Sequence, residues 1–138
     1  MRTAVVTGAA RGLGRAMAAR LVADGFAVWA VDTDAAAVAS MAAETGATAC
    51  ALDVTDEAAV DGLADRLERC DALVNNAAIW RFTPLADTPV DEASRVLAVN
   101  VIGPLLLMQR LVPVMARGGG GTIVNVSSIT AKIGRAHV

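Results

Sequence analysis

Short apolar runs alternate along this chain with segments in which apolar residues recur at helical spacing. Five runs predict strands, because each is short, largely apolar and followed by turn or helix-start residues. They are TAVVTG (residues 3–8), FAVWAVD (26–32), ATACALDV (47–54), DALVNNA (71–77) and TIVNVSS (122–128). Strands that are apolar on both faces are typical of a parallel sheet covered by helices.

The intervening segments predict helices with recognisable starts and stops. The first begins near Leu13 and stops at Gly25, and the second is the alanine-rich segment 34–46. We expect Thr55 to cap the third helix. We expect Thr88 to cap a fourth helix that has Pro89 in its first turn.

The fourth predicted helix is the longest. It is expected to bend near Gly103 and Pro104, to continue to Met115 and to end before the glycine run 118–121. Strands and helices that alternate in this way predict an α/β fold with a doubly wound parallel sheet, in the order 3-2-1-4-5. We expect residues 1–132 to form one such domain, because no linker or repeat interrupts the series.

The composition fits a globular protein and excludes several classes of function. Hydrophobic residues make up 55% of the 138 residues, charged residues 19%, and the net charge is −2. The arginines are scattered and Lys132 is the sole lysine, so no nucleic-acid-binding surface is expected. Asn100, Gly103 and Pro104 interrupt the longest apolar stretch, which is too short to span a bilayer. MRTAVVTG leads into a strand without a signal peptide, which favours the cytoplasm.

Cysteine and histidine usage predicts neither a disulfide nor a metal site. Cys50 and Cys70 lie in apolar or strand-edge contexts, where free buried thiols are the ordinary outcome. With one histidine and no CxxC motif, the chain offers no recognisable set of zinc ligands.

The most informative chemistry lies in TGAARGLG, residues 7–14, between the first strand and the first helix. There Gly8, Gly12 and Gly14 each have a reason to lack a side chain: a tight turn, close approach to a pyrophosphate, and packing of helix against strand. Free N–H groups at the helix N-terminus favour phosphate. We expect this turn, with Arg11 and Leu13, to bind a dinucleotide; the alternative is an ordinary strand-to-helix turn.

An acidic residue at the tip of the second strand bears on the choice of cofactor. Asp32 lies about 20 residues beyond the glycine turn, where a carboxylate accepts both ribose hydroxyls and repels a 2′-phosphate. That favours NAD over NADP, whereas Arg11 argues for NADP because a basic residue in the turn faces that phosphate. We expect the charge of Asp32 to outweigh one flexible arginine. The alternative is that Asp32 caps the second helix beside Asp34.

At these residues the chain resembles the short-chain dehydrogenase/reductase family. The family's motifs occur in order: TGxxxGxG at 7–14, DV at 53–54, NNAA at 75–78, Asn100 in the long helix, and NVSS at 125–128. The resemblance covers essentially residues 1–132. It implies a nicotinamide cofactor, a small-molecule alcohol or ketone substrate, and a homodimer or homotetramer for the full-length protein.

The resemblance also implies how the middle motifs contact the cofactor. Asp53 and Val54 would hold the adenine, with the carboxylate accepting from its exocyclic amine, and Asn76 and Ala77 would run past the ribose. Asp53 could instead cap the turn that follows it. Ala78 replaces the family's usual glycine, which narrows the allowed backbone angles.

Two residues match the family's catalytic positions. Ser128 would hydrogen-bond the substrate oxygen, and Asn100 would keep a water in a proton path. The alternatives are a strand-end turn at Ser127 and Ser128 and a helix-bend hydrogen bond at Asn100. The family's acid–base tyrosine and its neighbouring lysine are expected about a dozen residues past the serine, yet the chain contains no tyrosine.

The last residues, IGRAHV (133–138), have a possible origin outside the protein. The codons ATC-GGA-AGA-GCA-CAC-GTC encode them and resemble a common sequencing adapter. We hypothesise that these residues, with part of the Lys132 codon, are read-through from a truncated gene. The alternative is a native ending with a basic tail.

Together these features predict part of an NAD-dependent oxidoreductase that transfers a hydride between a nicotinamide cofactor and a secondary alcohol or ketone. The chain by itself is expected to be inactive, because it lacks the acid–base tyrosine. Two alternatives stay open: a dinucleotide-binding module without chemistry, and a fragment that does not fold stably.

Overall fold

The computed structural model of the protein describes residues 1–128. Residues 129–132 of the predicted domain and the predicted tail 133–138 therefore lie outside the described residues. Both remain predictions.

Strands and helices alternate along the described chain. The strands are Thr3–Thr7 (β1), Ala27–Asp32 (β2), Thr48–Ala51 (β3), Ala72–Asn75 (β4) and Thr122–Asn125 (β5). The α-helices are Gly12–Ala23 (α1), Ala35–Thr45 (α2), Glu57–Asp65 (α3), Val90–Leu97 (α4) and Gly103–Arg117 (α5). A 3₁₀ turn at Leu85–Asp87 precedes α4, and a π-helical turn at Ala98–Ile102 joins α4 to α5.

All five strands are parallel and lie in one sheet. Their order is β3-β2-β1-β4-β5, as predicted from the sequence. Val5 of β1 lies opposite Trp29 of β2 on one side and Leu73 of β4 on the other. The chain first winds outward from β1 to β3 and then crosses to β4 on the opposite side of β1. This reversal leaves a crevice at the carboxyl ends of β1 and β4, where open α/β sheets bind ligands.

The central strand β1 buries both of its faces, which explains its lack of alternation. All five residues of β1 are buried. One core cluster packs the sheet against α3 and α5 and includes Val5, Leu63 and Leu107. The other packs the opposite face against α1 and α2 and includes Val6 and Met41. The fold class predicted from the sequence is thus confirmed.

Two predicted helix caps were wrong by one residue each. Asp56, not Thr55, caps α3, because its Oδ1 accepts from the Ala59 N–H at 3.1 Å. Pro89 occupies the N-cap position of α4, and the Thr88 hydroxyl instead donates to the carbonyl of Pro84 at 3.0 Å. In both places the predicted capping hydroxyl is engaged by another partner, which sequence spacing does not reveal.

The predicted long helix is two α-helices with a π-helical turn between them. That turn ends at Ile102, immediately before Gly103 and Pro104, where the bend was expected. Of the described residues, the helical run Val90–Arg117 is long and apolar enough, by length and composition alone, to cross a bilayer. Its second half places Leu107 and Leu111 in the core against the sheet, which is a role that soluble core helices also fill.

Candidate functional site

A cleft of about 470 Å³ lies at the carboxyl ends of the central strands. Seven residues predicted to bind cofactor line it: Gly8, Arg11, Asp32, Asp53, Val54, Asn76 and Ala77. Gly12, Leu13, Gly14, Asn100 and Ser128 do not line it. The structure therefore brings together most of the predicted binding residues, and it places the two predicted catalytic residues outside this cleft.

The three glycines of the first turn have different structural reasons to lack a side chain. Gly8 and Gly12 adopt left-handed φ angles of 64° and 55°, which disfavour any side chain. A Cβ on Gly14 would lie 2.1 Å from the Gly8 carbonyl oxygen, so α1 packs directly on the turn. A Cβ on Gly12 would meet nothing within 4 Å. Gly12 therefore leaves its backbone open at the start of α1.

The first turn of α1 presents uncapped backbone donors. Arg11 occupies the N-cap position with extended backbone angles, and its side chain makes no capping hydrogen bond. The first N–H groups of a helix have no intrahelical acceptors, and they carry the positive end of the helix dipole. An uncapped N-terminus behind a glycine turn is suited to a phosphate.

Thr7 and Asn76 tie the glycine turn to the end of β4. The buried Thr7 hydroxyl oxygen accepts from the N–H of Asn76 at 3.0 Å and from that of Ala77 at 2.9 Å. In return, Asn76 Nδ2 donates to the carbonyls of Thr7 at 3.0 Å and Gly8 at 3.3 Å. Asn76 thus holds the glycine turn against the end of β4, where both line the cleft. Sequence reasoning placed Asn76 beside a ribose and did not foresee that it acts as a brace, a side chain that stabilises the glycine turn through these two hydrogen bonds.

Asp32 is held on the cleft wall by two backbone amides. Its Oδ2 accepts from the Ala10 N–H at 3.0 Å, and its Oδ1 accepts from the Asp34 N–H at 3.1 Å. The N-cap of α2 is Asp34, whose Oδ1 accepts from the Ala37 N–H at 3.0 Å. The alternative that Asp32 caps α2 is therefore wrong. Since a carboxylate has about four acceptor sites, two remain for ligand hydroxyls.

Arg11 points its charge at Asp34. Its Nη2 donates to Asp34 Oδ2 at 2.8 Å, and both side chains are well exposed. The arginine lines the cleft and Asp34 does not. The positive charge that argued for NADP is thus paired with a second carboxylate, which lies outside the cleft.

Asp53 has two neighbours at the far side of the cleft. Its Oδ1 accepts from the backbone N–H of Thr55 at 2.9 Å and from its hydroxyl at 2.7 Å, which is the turn-capping role left open by the sequence. Its Oδ2 accepts from Arg95 Nη2 at 2.8 Å. Partial burial raises the pKa of Asp53, but the bonds from Arg95 and Thr55 outweigh it and lower that pKa from 3.8 to about 2.

Arg95 is a charged cleft residue that sequence reasoning missed. It lies on α4 and lines the cleft with Ile79 and Val99. Its Nη1 also donates to the Thr55 hydroxyl at 3.2 Å. The sequence gives one weak signal of this role, which is that Arg95 is a basic residue five positions before Asn100. The contact of Arg95 with Asp53 joins residues 42 positions apart and arises only in the fold.

Val54 supports the same side of the cleft from the interior. It is buried, and a Cβ on Gly103 would lie 2.6 Å from Val54 Cγ2. Gly103 therefore lets the start of α5 approach the DV motif. Close packing against Val54 is therefore a second reason for a glycine at position 103, in addition to the bend predicted there.

Asn100 makes a reciprocal pair of hydrogen bonds with the segment after β4. Its Nδ2 donates to the Ile79 carbonyl at 2.8 Å, and its Oδ1 accepts from the Ile79 N–H at 2.9 Å. Asn100 lies in the π-helical turn, and its amide is paired there with the backbone of Ile79. The alternative expectation, a helix-bend hydrogen bond, describes this geometry.

Ser128 lies three residues beyond β5 and is exposed. The end of β5 is joined to β4 by Asn75, whose Nδ2 donates to Asn125 Oδ1 at 2.8 Å.

Ala78, which replaces the family's usual glycine, causes no backbone strain. No described residue other than glycine adopts a positive φ, so this position tolerates alanine.

The comparisons with known proteins agree with this architecture. The sequence model of a family described as short chain dehydrogenase matches residues 2–138. The chain belongs to this family. It is 42% identical to a sorbitol dehydrogenase of Cereibacter sphaeroides, covering 99% of this chain and 56% of the relative. It is 38% identical to a galactitol 2-dehydrogenase of Agrobacterium fabrum, with the same coverage of each chain.

Solved structures of this short-chain dehydrogenase family have the same fold. A 3-ketoacyl-(acyl-carrier-protein) reductase from Brucella melitensis, complexed with NADH, matches with a TM-score of 0.91 and 34% identity, covering 97% of this chain and 60% of that one. A metagenomic short-chain oxidoreductase in complex with NADP matches with a TM-score of 0.86 and 34% identity, covering 92% and 62%. The chain spans about 56% of the length of the curated relatives named above.

Proposed function

We propose that the cleft binds NAD and that the chain forms the cofactor-binding part of a dehydrogenase acting on a secondary alcohol or its ketone. One observation carries the proposal: Gly8 of the glycine turn, the N-cap residue Arg11 and the carboxylate of Asp32 line one cleft at the reversal of strand order, and the uncapped first turn of α1 follows Arg11 directly. This set supplies donors for a pyrophosphate and acceptors for a ribose.

The residues present fit a dinucleotide. Gly12 and the first N–H groups of α1 would hold the pyrophosphate. The two remaining acceptor sites of Asp32 would take the adenosine ribose hydroxyls, and the remaining site of Asp53 would take the adenine amine. When bound, the nicotinamide supplies the group that accepts or donates a hydride.

Selectivity for NAD over NADP follows from the charges of this wall. A 2′-phosphate on a ribose bound to Asp32 would lie beside the negative charge of this carboxylate, and the charge of Arg11 is paired with Asp34. Family members bind either cofactor, so the choice depends on these residues of the chain.

The roles proposed for Ser128 and Asn100 come from the family. Ser128 would hydrogen-bond the substrate oxygen in the intact protein. Asn100 would order the segment at Ile79 and hold a water in the proton path. The acid–base tyrosine would belong to the part of the relatives' length that this chain does not cover, since the chain contains no tyrosine. The 138 residues alone should then bind cofactor without turnover.

A polyol is the substrate class that the relatives favour, because two of them are named for sorbitol and galactitol. Self-association of the intact protein is also proposed. Exposed apolar side chains cluster on α4, the π-helical turn and α5: Val90, Leu97, Val101, Ile102, Leu105 and Val112. A surface of this kind is typical of a protein–protein interface.

The test is a pair of measurements on the intact protein. NADH binding is followed by fluorescence titration, and turnover is followed with NAD on a panel of polyols. Ser128→Ala should lower turnover about a hundredfold and leave NADH binding unchanged, because in its proposed role the hydroxyl bonds the reacting oxygen of the substrate and not the cofactor. Ser127→Ala is the matched control and should change neither. Binding without turnover on any alcohol would identify a binding module instead, and absence of binding would overturn the proposal.

A further inference from the structure

Three charged side chains meet at the tip of β2, at the edge of the cleft. Arg11 comes from the glycine turn, and Asp32 and Asp34 come from the end of β2 and the start of α2. Arg11 Nη2 and Asp34 Oδ2 are 2.8 Å apart, with side-chain exposures of 74% and 43%. The Asp34 backbone N–H donates to Asp32, so the two acids share one turn.

The position of Asp34 differs from that of the other two residues. Arg11 and Asp32 line the cleft, whereas Asp34 lies outside it. Asp34 thus reaches a ligand only through its electrostatic field and through the arginine that it holds. Arginine forms bidentate bonds with phosphate when its guanidinium is free to turn toward it. An arginine already paired with a carboxylate gives up that pair before it can serve a phosphate.

We propose that Asp34 is a positioning residue for cofactor choice: by pairing with Arg11 it withholds the guanidinium from a 2′-phosphate and so strengthens discrimination against NADP. The inference rests on the proposed function of the cleft. It assigns part of the selectivity to a residue outside the cleft, in addition to the direct repulsion by Asp32. The pair is exposed, so its influence is moderate and is screened by salt.

Asp34 also caps α2, and the test must separate this role from its charge. Its Oδ1 accepts from the Ala37 N–H at 3.0 Å. Asparagine is as good an N-cap as aspartate, so Asp34→Asn keeps the cap and removes the charge. The double variant Asp34→Asn with Arg11→Gln removes the charge of both partners. Arg11→Gln alone completes the cycle.

The experiment is equilibrium titration of the intact protein and its three variants with NADH and with NADPH, at low and high salt. Circular dichroism and urea unfolding verify that each variant is folded. Asp34→Asn should tighten NADPH binding about fivefold and change NADH binding less than about twofold. The gain should vanish in the double variant and shrink at high salt.

The outcomes separate this inference from the proposed function. If wild-type protein binds NADH but Asp34→Asn leaves the ratio of NADPH to NADH affinity unchanged, the inference is overturned and the function of the cleft stands. A gain that persists without Arg11 also overturns it, since the charge of Asp34 would then act alone. A folded wild-type protein that binds neither nucleotide overturns the proposed function, and this inference with it.

Discussion

The two ends of the candidate site are built differently. At the adenosine end, polar side chains from separate turns hold one another: Asn76 braces the glycine turn, amides fix Asp32, and Arg95 pairs with Asp53. At the proposed reacting end, Asn100 is held by the backbone of Ile79, and Ser128 is an exposed residue past β5, the outermost strand on that side of the described sheet.

The two ends also differ in how deeply the strands that carry them are buried. The proposed adenosine end lies mainly at β1, whose residues are all buried, and at its neighbours β2 and β4, with Asp53 alone following the more exposed β3. The reacting end grows from β5, three of whose four residues are exposed. We infer that substitutions at the adenosine end act on stability and binding together, whereas those at the reacting end act mainly on turnover.

The largest effect on stability is expected from Gly14→Ala. The new Cβ would lie 2.1 Å from the Gly8 carbonyl oxygen and 2.5 Å from Asn76 Nδ2, so the helix must move away from the turn. Overpacking of this kind should lower the free energy of unfolding by about 3 kcal/mol. Urea unfolding of the purified variant measures it.

Gly62→Ala is the matched control for that substitution. Gly62 lies in α3, and a Cβ there would meet nothing within 4 Å. Alanine is a better helix former than glycine, so this variant should be more stable by about 0.5–1 kcal/mol. Equal losses at both glycines would contradict the close packing of α1 on the turn.

The second effect is expected from Asn76→Ala. Two hydrogen bonds from Nδ2 to the carbonyls of Thr7 and Gly8 are lost, which should destabilise the protein by about 2 kcal/mol. Cofactor affinity should fall with it, because the turn loses its brace. Thermal unfolding with and without NADH measures both. A variant of unchanged stability would show that the brace is dispensable.

The third effect is a pH dependence at Asp53. Its pKa is lowered from 3.8 to about 2 in the folded protein, so its carboxylate contributes stability above pH 3.8 that is lost as the pH falls through 2. The pair with Arg95 is partly exposed, so Asp53→Asn should cost about 1 kcal/mol at pH 7. The difference between wild type and variant, from urea unfolding at several pH values, should disappear toward pH 2. A difference that stays constant down to pH 2 would mean that the charge is not involved.

The smallest effect on stability is expected from Asn100→Ala. The two bonds to Ile79 lie at an exposed residue, so their loss should cost about 0.5 kcal/mol. Turnover of the intact protein should nevertheless fall by at least about tenfold, by misplacing the segment at Ile79. Paired unfolding and steady-state measurements compare the two. A stability loss as large as that of Asn76→Ala would remove the proposed distinction between the two ends.

The order of the strands and helices could be predicted because it depends on local sequence patterns. The same holds for the glycine turn and Asp32 in the cleft. Apolar runs such as TAVVT form strands wherever they are buried, and Gly46 ends α2 with a left-handed φ of 83°. The glycine turn and Asp32 lie within one strand–helix–strand unit, so sequence spacing alone brings them to the same edge.

The remaining features depend on contacts between distant residues. Thr55 was expected to cap α3, but Asp53 engages its hydroxyl and Asp56 caps instead. Arg95 enters the cleft only because the fold brings α4 to the turn after β3, and the hydrogen bonds of Asn76 join residues nearly 70 positions apart. Such side-chain choices follow from packing, which no local pattern in the sequence records.

The most direct test of the account is calorimetric titration of the folded, intact protein with NADH. If the cleft binds the cofactor, we expect one NADH site per chain. We also expect Asp32→Ala to weaken the affinity for NADH at least about tenfold, because it removes the ribose acceptor. A folded protein that releases no heat with NADH or NADPH, and competes for neither in a fluorescence assay, would contradict the assignment of the cleft.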